Sequence, residues 1–160
     1  YLEGVNKFNY DQKLFGVFEL KNLAPAHPIV GELDDVFFCP QSRHAGIPDE
    51  AMEEAANDGR LKLLAYGKEA GYSIFSTSDD RFIAHTGHPE YNATRLADEA
   101  KRDHGNPDVP PPVNFDFMEP LNRWRSHRNT FFTQWVSYCY LKISTHDMSV
   151  KKDFMASPTD

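Results

Sequence analysis

A histidine and a glutamate stand two residues apart in the segment Thr86-Gly87-His88-Pro89-Glu90-Tyr91. The residues before it read as a strand over 81–85, and Asn92 after it is a good cap for a helix. Reactive groups gather at the carboxyl ends of strands in open α/β sheets. Pro89 restrains the backbone between the two side chains. An imidazole beside a carboxylate is held in one tautomer and is stabilised as it takes a proton. His88 and Glu90 therefore make the base half of a Cys-His-Glu or Ser-His-Glu triad, which needs a nucleophile from elsewhere. The same six residues also read as a plain turn with a hydrogen-bonded histidine and a solvated glutamate, because short motifs match by chance. A third reading takes His85, His88 and Glu90 as zinc ligands. On extended backbone their three-residue spacing sends the two imidazoles to opposite faces, so no metal site is expected.

The two cysteines do not supply the nucleophile. Cys39 lies in the apolar run Val36-Phe37-Phe38-Cys39, where burial makes a thiol inert. Cys139 sits between Tyr138 and Tyr140 on an aromatic helix. Neither follows the small-residue elbow that exposes a nucleophile, and both read as packing residues. Other polar groups stand where they can line a pocket. Arg95, Glu99 and Arg102 share one helical face at i, i+4 and i+7. Arg102 can grip a carboxylate in a bidentate fork, or simply pair with Asp98 on the surface. Lys13 begins a strand, and Ser42-Arg43-His44 follows an apolar run; such residues also mark the surface ends of strands. Arg123, Arg125, His127 and Arg128 cluster at a helix start, where they call for acidic partners.

These groups need a frame. A strand is expected over 13–20, with Gly16 allowing a close backbone approach. A second, 36–39, is stopped by Pro40. A helix follows from Pro48 to Asn57, then three hairpin-spaced strands at 61–66, 72–77 and 81–85. A helix capped by Asn92 runs to about Asp103, with Gly105 as its stop. The proline-rich stretch 106–120 is irregular, and a loop that long is more often functional or a contact surface than idle. Asn122 caps a last helix, Arg123 to about Ile143, whose Trp124, Phe131, Trp135 and Tyr138 read as a core stripe. Strands alternating with helices imply an α/β domain with a mostly parallel sheet and an antiparallel edge.

The bulk composition narrows the partners. Of 160 residues, 17 are Lys or Arg and 24 Asp or Glu, a net charge of −7. That sign disfavours nucleic acid and anionic membranes. No apolar run is long enough to span a bilayer. Two cysteines without metal-type spacing suit a reducing, cytosolic setting. The chain opens at Tyr1, and Tyr1-Leu2-Glu3-Gly4-Val5 reads as the last turn of a helix closing on glycine, so residues are expected upstream.

Four segments taken together resemble the homoserine O-acyltransferase family, the O-succinyltransferase and O-acetyltransferase group related to class I glutamine amidotransferases. They are DQKLFGVFE (11–19), ELDDVFFCPQSRHA (32–45), TGHPEYNATRLADEAKRD (86–103) and PLNRWRSHRNTFFTQW (120–135). The resemblance implies a flavodoxin-like, three-layer α/β sandwich. Residues 1–143 would form the C-terminal part of one catalytic domain; the polar composition of 144–160 itself reads as a disordered tail. The resemblance also implies a cytoplasmic homodimer in methionine biosynthesis with no bound cofactor. Acyl-CoA would acylate a cysteine, and the hydroxyl of L-homoserine would then attack the thioester. His88 matches the family's general base and Glu90 its orienting acid. Lys13, Ser42 and Arg102 match substrate-contacting positions, and Glu99 lies one helical turn before Arg102. The acyl-accepting cysteine of the family falls upstream of Tyr1, in an N-terminal half outside this chain. Gln41 stands where a histidine is common. Two other readings stay open: a glutaminase-like hydrolase using the same His88–Glu90 pair, and a noncatalytic binding or assembly half.

Overall fold

The computed structural model describes residues 4–155, with only the backbone course given for 144–155. Residues 1–3, which carry most of the expected helical turn, and 156–160, the end of the expected tail, lie outside the described residues. Gly4 adopts φ 72°, the left-handed conformation that closes helices.

Five strands form one sheet: β1 (Phe8–Asn22), β2 (Val36–Gly46), β3 (Leu61–Gly67), β4 (Gly71–Thr77) and β5 (Ile83–His85), in the spatial order β2-β1-β3-β4-β5. Three helices accompany them: α1 (Asp49–Asn57), α2 (Ala93–Arg102) and α3 (Arg125–Met155). Every neighbouring pair of strands is antiparallel, which corrects the expected mostly parallel sheet. The cause lies in the connections. β3 and β4 are joined by residues 68–70, too few for anything but a hairpin. β2 and β3, linked through α1, do run parallel to each other, but β1 lies between them.

β1 divides the interior. Phe18 and Leu20 face a core with Ile29, Leu64, Ile74 and Phe131. Phe15 and Val17 face the other way, into a core with Leu96, Ala100 and Trp124. Helices thus cover both faces of the strand, as a layered α/β domain requires. α1 closes a third cluster, setting Met52 and Ala55 against Leu61 and Phe75.

The proline-rich stretch is pinned to the free side of β1. Lys13 N–H donates to Asp108 O, Val17 N–H to Val113 O, and Val113 N–H to Phe15 O. This forms a parallel bridge between Gly16 and Val113. At Gly16 φ is 138°, and a Cβ would collide with the backbone of Val113, so the close approach expected of this glycine is real.

Pro40 does not stop β2, which runs on to Gly46. β2 is an edge strand, and the carbonyl of Pro40 points away from β1 to accept the N–H of His88 at 2.8 Å. The amide proton that proline lacks would have pointed the same way, so no ladder bond is lost. α3 continues to Met155, beyond the expected end near Ile143. Of its aromatic stripe, Phe131 is buried and Tyr138 partly so, but Trp135 is exposed. Cys139 is exposed as well and does not pack in a core.

Candidate active site

β5 ends at His85, and the chain then crosses the outer edge of β2 before entering α2. Gly87 makes that crossing possible. A Cβ there would sit 2.7 Å from Cys39 Sγ, 2.8 Å from Gln41 Nε2 and 2.9 Å from Pro40 O. Thr86 N–H donates to Ser73 O and His88 N–H to Pro40 O. Seated this way, His88 turns outward, and its Nδ1 lies 2.8 Å from Glu90 Oε1. The contact needs the proton on Nδ1, so in the neutral ring the lone pair is on Nε2. Nε2 has no hydrogen-bond partner among the described residues. The imidazole is 32% exposed and Glu90 54% exposed.

His85 is a different kind of histidine. Its Nδ1 accepts from Gly87 N–H, its Nε2 faces Cys39 Sγ at 3.9 Å, and its ring meets Phe131 edge-on. Burial, with the charges of His88 and Arg43, pushes its pKa down to about 3, so it is neutral. Cys39 donates to Pro40 O at 3.4 Å. Burial foremost, then the charge of Glu90, pushes this thiol up and keeps it protonated. No group of three or more His, Cys, Asp or Glu side chains suited to a metal occurs among the described residues.

α2 begins with its cap, Asn92 Oδ1 accepting from Arg95 N–H at 2.7 Å. Its buried Leu96 and Ala100 fix the helix against β1, and this orients the polar face. Glu99 is buried and accepts from Ser42 Oγ at 2.8 Å and from the Tyr91 hydroxyl at 3.4 Å. Arg95 and Arg102 approach the same carboxylate at 4.0 and 3.9 Å. Arg102 forks onto Asp103 rather than Asp98, with Nε 2.6 Å from Oδ1 and a terminal nitrogen 2.7 Å from Oδ2. Lys13, buried over the ring of Phe15, completes the group at 3.1 Å from Asp103 Oδ2. The hydrogen bonds from Arg102, ahead of those from Lys13, hold Asp103 well below the usual carboxylate range. The sequence-derived residues thus fall into two linked groups. One is His88 with Glu90. The other is Ser42, Glu99, Arg102 and Lys13.

The homoserine O-succinyltransferase family model matches residues 1–145. The chain belongs to the homoserine O-succinyltransferase family. It is 34% identical over 154 residues to a homoserine O-acetyltransferase of Lachnoclostridium phytofermentans, covering 92% of this chain and 50% of that protein. It is 34% identical over 149 residues to a homoserine O-succinyltransferase of Proteus mirabilis, covering 89% of this chain and 47% of the relative. The chain therefore spans about half the length of the curated relatives it matches. Among solved structures, a glutamine amidotransferase of Thermotoga maritima superposes with TM-score 0.55 at 12% identity, over 83% of this chain and 52% of that one. A glutamine amidotransferase of Methylobacillus flagellatus superposes with TM-score 0.58 at 12% identity, over 84% of this chain and 56% of that one. The fold of this family member is of the class I glutamine amidotransferase type.

Two residues of these groups make contacts that sequence reading does not assign. Asp103 was legible only as a helix end, yet it binds both Arg102 and Lys13. Tyr91 stood in the motif, but nothing in its spacing says that its ring lies on His88, with centroids 4.3 Å apart. The basic cluster finds mixed partners: His127 pairs with Asp34 at 3.0 Å, while Arg123 lies over the ring of Phe38. No helix among the described residues is long and apolar enough to cross a membrane.

Proposed function

We propose that this chain supplies the base and the acceptor-binding groups of a homoserine O-acyltransferase. The observation that supports the reading is a carboxylate-held His88 with no partner at Nε2 among the described residues, linked through Tyr91 to the Glu99 carboxylate. Homoserine carries a carboxylate and an ammonium. Arg102 suits the first, because a guanidinium offers five donors and can receive a carboxylate besides the Asp103 it already holds. Glu99, a buried carboxyl group beside Ser42, suits the second. Holding both ends fixes where the hydroxyl lies, which converts binding into alignment.

In this reading a cysteine of an upstream segment takes the acyl group from acyl-CoA and releases free CoA. The homoserine hydroxyl then attacks the thioester carbon. His88 Nε2 takes the hydroxyl proton as the C–O bond forms, and Glu90 stabilises the imidazolium through Nδ1. Collapse of the tetrahedral intermediate breaks the C–S bond, and the departing thiolate recovers the proton from His88. The acyl donor is acetyl-CoA or succinyl-CoA, the protein is a cytoplasmic homodimer, and the pathway is methionine biosynthesis. A glutaminase would use His88 and Glu90 but would have no need of Arg102.

The test is mass spectrometry of the full protein after incubation with each acyl-CoA. Gain of one acyl mass on an upstream cysteine, discharged by homoserine and retained in His88→Ala, is the expected result. Absence of acylation by both donors would overturn the proposal.

A further inference from the structure

Tyr91 meets the site from both ends. Its ring lies nearly flat on the imidazole of His88, with an interplanar angle of 18°. Its hydroxyl reaches the other way, to Glu99 Oε1 at 3.4 Å. Its backbone is fastened twice. The N–H donates to His88 O at 3.1 Å, and the carbonyl accepts from Trp124 Nε1 at 2.7 Å. Trp124 is fully buried with Phe15, Val17 and Leu96, so this anchor reaches the core.

A base needs a fixed ring plane, and the hydrogen bond to Glu90 does not provide one. Glu90 is more than half exposed, and a single bond at Nδ1 lets the imidazole swing about it. A second ring against one face removes that swing. Offset stacking of this kind adds favourable energy beyond the area it covers. The hydroxyl meets the carboxyl group of Glu99, which Ser42 also holds.

We propose that Tyr91 is a positioning residue with a divided role. Its ring fixes the plane of His88, and its hydroxyl braces the Glu99 carboxyl group that the acceptor meets. The kinetic part of this proposal rests on the acyl-transfer reading; the structural part does not.

Two variants separate the roles. Tyr91→Phe keeps the ring and loses the hydroxyl, and Tyr91→Leu loses both. Nitrogen and proton NMR of His88 reports its tautomer and the ring-current shift from Tyr91, with no substrate present. Tyr91→Phe should retain both signals. Tyr91→Leu should lose the ring-current shift and give a mixture of tautomers. In the full protein, Tyr91→Leu should lower kcat by roughly tenfold to a hundredfold, the scale of a small misplacement of reacting groups. Tyr91→Phe should spare kcat and raise KM for homoserine. The proposal fails if Tyr91→Leu keeps the native His88 signals, or if the two variants lower kcat equally. Should Tyr91→Leu not fold, Tyr91→Phe still decides: a changed His88 tautomer there sinks the division of roles. Native-like His88 signals without transfer to homoserine would sink the acyl-transfer reading and leave the positioning of the base standing.

Discussion

Two of the histidine–carboxylate pairs of this molecule have nearly the same geometry. His88 Nδ1 lies 2.8 Å from Glu90, and His27 Nε2 lies 3.1 Å from Asp80. The difference is in the valences left over. Asp80 also accepts from Lys62 Nζ at 2.6 Å and Ser76 Oγ at 2.7 Å, and His27 Nδ1 accepts from Ile29 N–H. Both ring nitrogens are used, both carboxylate oxygens accept, and the two side chains are only 8% and 14% exposed. That pair ties the loop after β1 to the turn after β4. The His88 pair leaves one nitrogen and most of a carboxylate open. Proximity of histidine and acid says little about reactivity, and the unspent lone pair says much.

The largest test of this contrast is His88→Ala. It should lower transfer to homoserine by about 10²- to 10⁴-fold, the range for general-base catalysis, while the melting temperature stays close to native. His27→Ala should do the reverse, lowering the melting temperature and sparing kcat. Equal activity losses in the two would erase the distinction. Next comes Gly87→Ala, which lifts the loop that seats His88 off β2. A displacement near 1 Å should cost kcat on the order of 10²-fold, measurable in the same assay, with Asp80 and its partners untouched.

Asp80→Asn follows. It weakens several hydrogen bonds to a charged acceptor, each worth roughly 1.5–3 kcal/mol before relaxation. A net loss of about 1–2 kcal/mol in denaturant melts is expected. Burial opposes the charge on Asp80, but the bonds from Lys62, Ser76 and His27 outweigh it and bring its pKa to about 2. A depressed acid stabilises above its ordinary pKa near 4 and loses that contribution as pH falls through its folded value. Thermal stability should therefore decline between about pH 4 and pH 2, and Asp80→Asn should flatten that slope. Smallest is Lys62→Ala. Its side chain is half exposed, so the pair should matter by no more than about 1 kcal/mol.

Local chemistry was legible in the sequence where it is encoded locally. Asn92 caps α2, Gly16 admits a neighbouring backbone, and β3, β4 and β5 fall within a residue or two of their expected places. The motif also placed His88 and Glu90 within contact of each other, as the structure has them. What escaped depends on which strands meet. The pairing of β1 with both β2 and β3 made the sheet antiparallel, and no spacing along the chain reports it. Pro40 misled for the same reason: whether a proline breaks a strand depends on which side of it is paired. Asp103 and Tyr91 were missed because their partners come from Lys13 and Glu99, across the fold or along a helix whose docking sets the contact.

The seam between β1 and the proline-rich stretch has a consequence for how the molecule opens. Asn114 Nδ2 donates to Val17 O across 97 residues of sequence, and Lys13 meets Asp103 across 90. Contacts so distant along the chain form late and are costly in loop closure. The β3–β4 hairpin closes locally and does not depend on them. Amide protons of the hairpin should thus outlast those of Val17 and Val113 in exchange with solvent. A transient parting of this seam would separate Lys13 from Asp103 while most of the sheet stays paired, so the integrity of the pocket and the integrity of the fold are two different free energies.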